Sequence, residues 1–519
     1  MRVQTLTINS HREVIVKIIK EVLLLFDVVI TGRGAADYPQ LSIVNRLEKP
    51  VKDLHTRKWE AGPDGTAVHM ATCVYLFHQD GRAEVWREAA IGVSDERGAA
   101  AENRLIKLNL YNIFIRHLGG QPAPWGILHG VRPTKIVHRW ISYGCDEPTC
   151  ISRLEQEFAC SAEKAQEIVP MAFRQLPFLQ KTSPRTVSVY VGIPFCPTRC
   201  LYCSFPSNIL PDRSRLEQFM AVLRQDMSAA RADIERFGFQ VQNIYIGGGT
   251  PSALPDDMFR ELLELVSTSF RGDQTLEFTV EAGRPDTMTA AKVAALHDYA
   301  VDRVSVNPQT MQQRTLDYIG RRHTVTEVVD MFRALRTAGI PSINMDIILG
   351  LPGETAADVA DTMRQVLDLG PDDVTLHALA LKRGSRLKKL LETRKIDLPG
   401  AQETRQMFAA AMRSLEEAGL RPYYLYRQGY MSGDLENVGC CRPGRESMYN
   451  IQIMEEHQTI IGIGGAAVSK VVDFRAHRLR SAFNAKDLVT YLRDIDIYTA
   501  KRRKLLNDTY GEKGEFLFE

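Results

Sequence analysis

Val187-Ser-Val-Tyr190-Val-Gly192-Ile193-Pro-Phe-Cys196-Pro-Thr-Arg-Cys200-Leu-Tyr202-Cys203 is an apolar run that breaks into a short loop carrying three thiols. The run 187–193 has the length and β-branched content of a buried strand, and Pro194 ends it. Five similar runs follow, at 243–246, 275–280, 303–306, 343–349 and 374–379. Helical patterns fill the gaps, for example at 214–237, 256–270 and 326–338. Strands that alternate with helices predict a parallel sheet. Six β-α units are fewer than the eight of a full barrel, so the α/β fold expected over 185–400 is a partial, open-sided (β/α)6 barrel. In such a barrel the cysteine loop lies on the C-terminal rim, where parallel barrels do their chemistry.

The chain has 519 residues, too many for one ordinary core. An N-terminal α/β domain is expected over 1–180. Residues 67–89 alternate around Gln79-Asp80-Gly81-Arg82, a hairpin signal with Asp-Gly at the turn. Residues 101–117 have helical spacing and stop at Gly119-Gly120. Two helical stretches follow, ending near Pro177. Beyond 400 the alternation stops. A helix over 402–418, capped by Gly419, leads into short β-like runs and a last helix near 485–503. Residues 401–519 therefore read as a C-terminal α+β extension packed on the barrel.

Composition is that of a soluble globular protein, 44% apolar and 25% charged, with a net charge of +2. Charge alone implies no polyanion partner. The most apolar early stretch, 14–30, is interrupted by Lys17, Lys20, Glu21 and Asp27, too polar to span a bilayer. No signal-peptide pattern is visible, so the expected compartment is the cytoplasm.

Nine cysteines in a cytoplasmic chain do not suggest a disulfide framework. Cys73, Cys145, Cys150 and Cys160 are scattered and read as buried thiols. Cys196, Cys200 and Cys203 share one loop, with no histidine between His138 and His297. Structural zinc wants four ligands, so a zinc reading needs a distant fourth. A cubane cluster takes three thiolates and keeps one iron open. Spacing alone leaves both readings standing. The adjacent pair Cys440-Cys441 reads either as a catalytic or substrate-facing pair of thiols or as inert. Residues 125–140 carry Arg132, Lys135 and Arg139, with His129 and His138 among them. These cations suit a polycarboxylate substrate or a basic linker. The absence of an extended basic stripe argues against nucleic acid.

The three-cysteine spacing, with aromatic Tyr202 before the last thiol, resembles the signature of the radical SAM superfamily. Tyr190-Val-Gly-Ile-Pro-Phe-Cys196, Tyr245-Ile-Gly-Gly-Gly-Thr-Pro251 and Asp346-Ile-Ile-Leu-Gly-Leu-Pro-Gly353 resemble more closely the oxygen-independent coproporphyrinogen III oxidase family. Within it the HemZ-like branch is matched by Trp125-Gly-Ile-Leu-His-Gly-Val-Arg-Pro-Thr-Lys135, Tyr423-Tyr-Leu-Tyr-Arg-Gln428, Asn437-Val-Gly and Tyr449-Asn-Ile-Gln-Ile-Met-Glu-Glu456. The resemblance implies a [4Fe-4S] cluster on Cys196, Cys200 and Cys203 and S-adenosylmethionine (SAM), cleaved reductively to a 5′-deoxyadenosyl radical. It implies a tetrapyrrole substrate, coproporphyrinogen III, decarboxylated oxidatively to protoporphyrinogen IX. A reduced flavodoxin- or ferredoxin-type donor would supply electrons.

The same resemblance distributes the SAM contacts. Tyr190 and Tyr202 flank the methionine and cluster. Gly249 and Thr250 approach the amino group, and Glu281 the amino group or ribose. Gln309 and Asp346 take the ribose, Arg321 rather than Arg322 pairs with the carboxylate, and Ala378 offers a backbone contact to adenine. Two positions depart from the family. Phe205 stands where the oxidases carry a further cysteine, and Gly192 where a histidine is usual. No cluster or SAM ligand is lost, but the substrate stays open. The alternatives are a heme chaperone of the HemW type and a radical SAM enzyme acting on another tetrapyrrole.

Overall fold

A computed structural model describes residues 1–9, 15–26, 28–31, 38–48, 67–93, 99–119, 123–128, 132–381, 385–393, 396–427, 435–474 and 478–511. His129 and Gln428, both used above, lie outside the described residues. The chain divides into two compact units, Met1–Phe173 and Arg174–Glu519.

In the first unit the strands Leu6–Asn9, Gln40–Glu48, Ala67–Phe77 and Ala83–Val93 form a sheet in that order. The expected hairpin is its antiparallel second half, turning through Gly81 at φ +82°. Helices Ile15–Leu25 and Ala99–Leu118 supply Ile15, Ile19, Val22, Leu105, Ile113 and Phe114 to one core with Leu41, Ile43, Val74 and Trp86. Three helices follow where two were expected: Thr134–Ser142, Glu147–Phe158 and Ala162–Leu179. Asp146 accepts from the Thr149 N–H and starts the middle one cleanly.

The second unit holds the six expected strands: Thr186–Ile193, Gln240–Gly248, Glu277–Glu281, Arg303–Gln309, Ser342–Leu349 and Asp373–Ala378. All five neighbouring pairs are parallel, and helices lie between successive strands as expected. Thr324 with Glu327 and Thr355 with Asp358 form capping boxes that fix two of those helix starts. Val187, Val189, Val191 and Ile193 are buried, as are their counterparts Ile244, Ile246, Val304, Val306, Ile343 and Met345. The alternate positions carry polar groups, among them Ser188, Asn243, Glu277, Thr279, Arg303, Ser305, Asn344 and Thr375.

The C-terminal residues, expected as an extension packed on the barrel, join its sheet at both edges. Asn437–Cys441 pairs antiparallel with the sixth strand, and Arg421–Tyr426 pairs beyond it. Thr459–Gly464 pairs parallel with the first strand, followed outward by Val468–Asp473 and Arg478–Phe483. The last helix is two, Leu488–Arg493 and Ile495–Tyr510, because the Asp494 backbone leaves the helical region.

A helix between these strands, Met448–Glu455, enters the lumen. The Glu277 carboxylate caps it, accepting from the Ser447 hydroxyl at 2.9 Å and the Met448 N–H at 2.8 Å. Gln452 and Gln458 bond to Asn243, Gln242 and Ser188 and satisfy the polar floor. No helix among the described residues is long and apolar enough to cross a membrane.

Candidate active site

The cysteine loop follows the first strand on the C-terminal rim. Its thiols face groups from three other strand ends. The Thr250 hydroxyl lies 3.5 Å from the Cys196 sulfur. Gly249 allows that approach, since a Cβ there would sit 2.6 Å from the Phe195 carbonyl oxygen and 2.9 Å from the Cys196 sulfur. From the loop after the third strand, Arg284 donates to the Cys200 sulfur at 2.9 Å, to the Thr198 hydroxyl at 2.6 Å and to the Thr198 carbonyl at 2.8 Å. Arg321 donates to the carbonyls of Asn307 and Gly283, and its charge faces Cys200 and Tyr202. Arg322 is exposed.

Arg284 and Arg321 are 2% and 6% exposed, and no carboxylate pairs with either among the described residues. Burial and these two charges push the His323 imidazole down to about 4, so it is neutral. Buried cations without an anion are costly, so the pocket is short of negative charge. A thiolate-bound cluster and a carboxylate are groups that would supply it. The zinc alternative fits less well. Zinc wants a fourth protein ligand, and the side chains bonded to these thiols, the Thr250 hydroxyl and the Arg284 guanidinium, are not zinc ligands. A cubane spreads its thiolates over separate irons.

Below the loop the lumen encloses a cavity of about 270 Å³, with Tyr190, Tyr245, Glu281, Asp346, His377 and Tyr449 in its wall. Tyr245 stacks between Tyr190 and Tyr449, with centroids at 6.0 Å and 4.4 Å. Burial pushes the Glu281 carboxyl up to about 7, against hydrogen bonds from the Tyr245 hydroxyl at 2.6 Å and the Gly248 N–H at 3.3 Å. Asp346 goes the other way. Burial raises its carboxyl, but His377 at 3.6 Å, Asn344 at 2.8 Å and Thr375 outweigh that and hold it below the usual range. Gln309 sits at φ +72° and keeps a buried Oε1 without a donor among the described residues. The Ala378 N–H is taken by the Asn437 side chain at 3.0 Å, so a contact to adenine would fall to its carbonyl.

The structure therefore brings Cys196, Cys200, Cys203, Tyr202, Gly249, Thr250 and Arg321 together at the rim, with Tyr190, Glu281 and Asp346 in the lumen wall. Cys440 and Cys441 are not among them. They pair with Val374 and Asp373 at the start of the sixth strand, the end away from the rim, and are 0% and 2% exposed. A thiol there does not face a substrate at the rim. Sequence reasoning missed Arg284, Tyr245, Asn344 and His377. Asn344 lies two residues before Asp346 on one strand, a period that is visible in the sequence, whereas Tyr245 meets Tyr190 only through strand register. Gly192 is tightly enclosed, since a Cβ there would lie 3.0 Å from the Gly465 carbonyl oxygen. Phe205 is 39% exposed.

An open parallel barrel with three cysteines after its first strand defines an iron–sulfur, SAM-dependent class. The radical SAM superfamily model matches residues 190–366. The oxygen-independent coproporphyrinogen-III oxidase-like protein HemZ of Bacillus subtilis is 39% identical over 75% of this chain and 78% of its own. The heme chaperone HemW of the same organism is 27% identical over 54% of this chain and 70% of its own. Among solved structures, the coproporphyrinogen III oxidase HemN of Escherichia coli aligns with a TM-score of 0.49 at 23% identity, covering 63% of this chain and 73% of that one. The chain belongs to the radical SAM superfamily, among the HemZ-like coproporphyrinogen oxidase-like proteins. Its cofactors are accordingly a [4Fe-4S] cluster and SAM.

Proposed function

We propose that this protein is an oxidoreductase that cleaves SAM reductively and decarboxylates coproporphyrinogen III propionates to vinyl groups, the 5′-deoxyadenosyl radical taking a hydrogen from the propionate β-carbon, carbon dioxide leaving, and an electron acceptor taking the remaining electron. The observation that carries the reading is the rim itself, where three thiols lie beside two buried, acid-free guanidinium groups and above a lumen lined with carboxylates. When bound, the cluster would supply the one electron that opens the C5′–S bond of SAM. Cys196, Cys200 and Cys203 hold the cluster. Arg321 takes the SAM carboxylate with a planar fork. Glu281, ionised, accepts from the ammonium, while Gly249 and Thr250 let the backbone approach it. Asp346 and Gln309 accept from ribose hydroxyls, and the Ala378 carbonyl meets adenine. Tyr190 and Tyr202 exclude water beside the methionine. A reduced flavodoxin- or ferredoxin-type protein provides the electron.

A second reading, heme transfer in the manner of HemW, is favoured by Phe205, which stands where the oxidases carry a cysteine. Anaerobically reconstituted protein with reductant and coproporphyrinogen III separates the two. Carbon dioxide release with 5′-deoxyadenosine is expected. Tight one-to-one heme binding without turnover would replace the first reading with the second. A full cluster that forms no 5′-deoxyadenosine would end the enzyme reading.

A further inference from the structure

Arg284 follows the third strand in Glu281-Ala-Gly-Arg284 and has no part in the SAM contacts above. Its guanidinium is buried and spends three N–H donors on one short turn, two on Thr198 and one on the Cys200 sulfur. Thr198 would suffice to tie the turn down. The donor to sulfur is the unexplained part, because a buried cation with no carboxylate partner must be offset by another anion. The nearest atom that can carry one is the Cys200 sulfur.

We infer that Arg284 is a positioning residue that holds the Thr198–Cys200 turn and raises the reduction potential of the cluster by donating to its Cys200 sulfur. Reduction adds negative charge to the cluster, and a fixed cation at 2.9 Å favours the more negative state. Arg321 also faces Cys200, but one terminal nitrogen of its guanidinium is held by the carbonyls of Asn307 and Gly283, and the rest of the group is left for the SAM carboxylate. Arg284 thus serves the electron-accepting step, and Arg321 the binding of SAM.

The inference rests on the cluster reading, and one experiment separates the two. Wild type, Arg284→Gln and Arg284→Lys are reconstituted anaerobically without SAM. Iron is counted, and the midpoint potential is read by electron paramagnetic resonance during a redox titration. The expected result is a negative shift in Arg284→Gln and a smaller one in Arg284→Lys, whose point charge cannot span both Thr198 and the sulfur. If Arg284→Gln does not fold, Arg284→Lys decides by the same criterion. A cluster-bearing variant with the wild-type potential overturns the role of Arg284 and leaves the cluster reading intact. Wild type that takes up no cluster overturns both. A residue that only braced the turn would lower cluster content without moving the potential.

Discussion

The Tyr245 hydroxyl donates to the Glu281 carboxylate at 2.6 Å inside the barrel, and it is the strongest hydrogen-bonding brake on that acid's rise to about 7. An ammonium ligand needs the ionised form. SAM affinity should therefore climb with pH and level off above about 7. Tyr245→Phe should move that midpoint upward, and Glu281→Gln should abolish the dependence and weaken binding about tenfold. Equilibrium dialysis across pH reads all three. Stability carries the opposite sign. Between the ordinary 4.5 and about 7 the native state holds a proton that the unfolded chain has released, so the contribution of Glu281 falls as pH rises through that window.

Cys200→Ala leaves two thiolates on the loop, which cannot hold a cubane. Iron content and the brown absorbance should drop to background, and a retained chromophore would refute the ligand assignment. Cys440→Ala, at the far end of the sixth strand, should leave 5′-deoxyadenosine formation unchanged.

Gly249→Ala asks a methyl group to share space with the Phe195 carbonyl and the Cys196 sulfur, at 2.6 Å and 2.9 Å. Neither is the far end of a flexible side chain. Cluster occupancy should fall several-fold, as judged by iron per chain, while the overall circular dichroism stays native.

Asp226 is fully buried and takes donors from Arg502 at 2.7 Å, Tyr491 at 3.0 Å, Asn484 at 3.1 Å and the Gly464 N–H at 2.9 Å. Arg502→Met strands that carboxylate. A loss of about 3–5 kcal/mol is expected in urea unfolding.

The six parallel strands were legible because each is a short apolar run between helix-length segments, and the observed ends fall within a few residues of those runs. The C-terminal strands were not placed in advance. Thr459–Gly464 looks like any short β-run, and nothing local says that its partner is Thr186–Ile193. Pairing is a long-range property, whereas propensity is local. The site divides along the same line. The thiols, glycines and rim acids announce themselves by motif and strand end. Arg284 could not be read, because its partners Thr198 and Cys200 lie more than eighty positions earlier. The tight space at Gly192 likewise comes from a distant carbonyl, that of Gly465.

The Ser188 hydroxyl meets the Gln458 side chain across a separation of 270 residues. On the ribosome, the cysteine loop therefore emerges long before the floor and the flanking strand that complete its barrel. Its three thiols would stand open to oxidants and stray metals through much of synthesis. Metal delivery is best placed after release of the finished chain. A C-terminal truncation before residue 459 should then yield protein that accumulates without iron even when every cluster ligand is present.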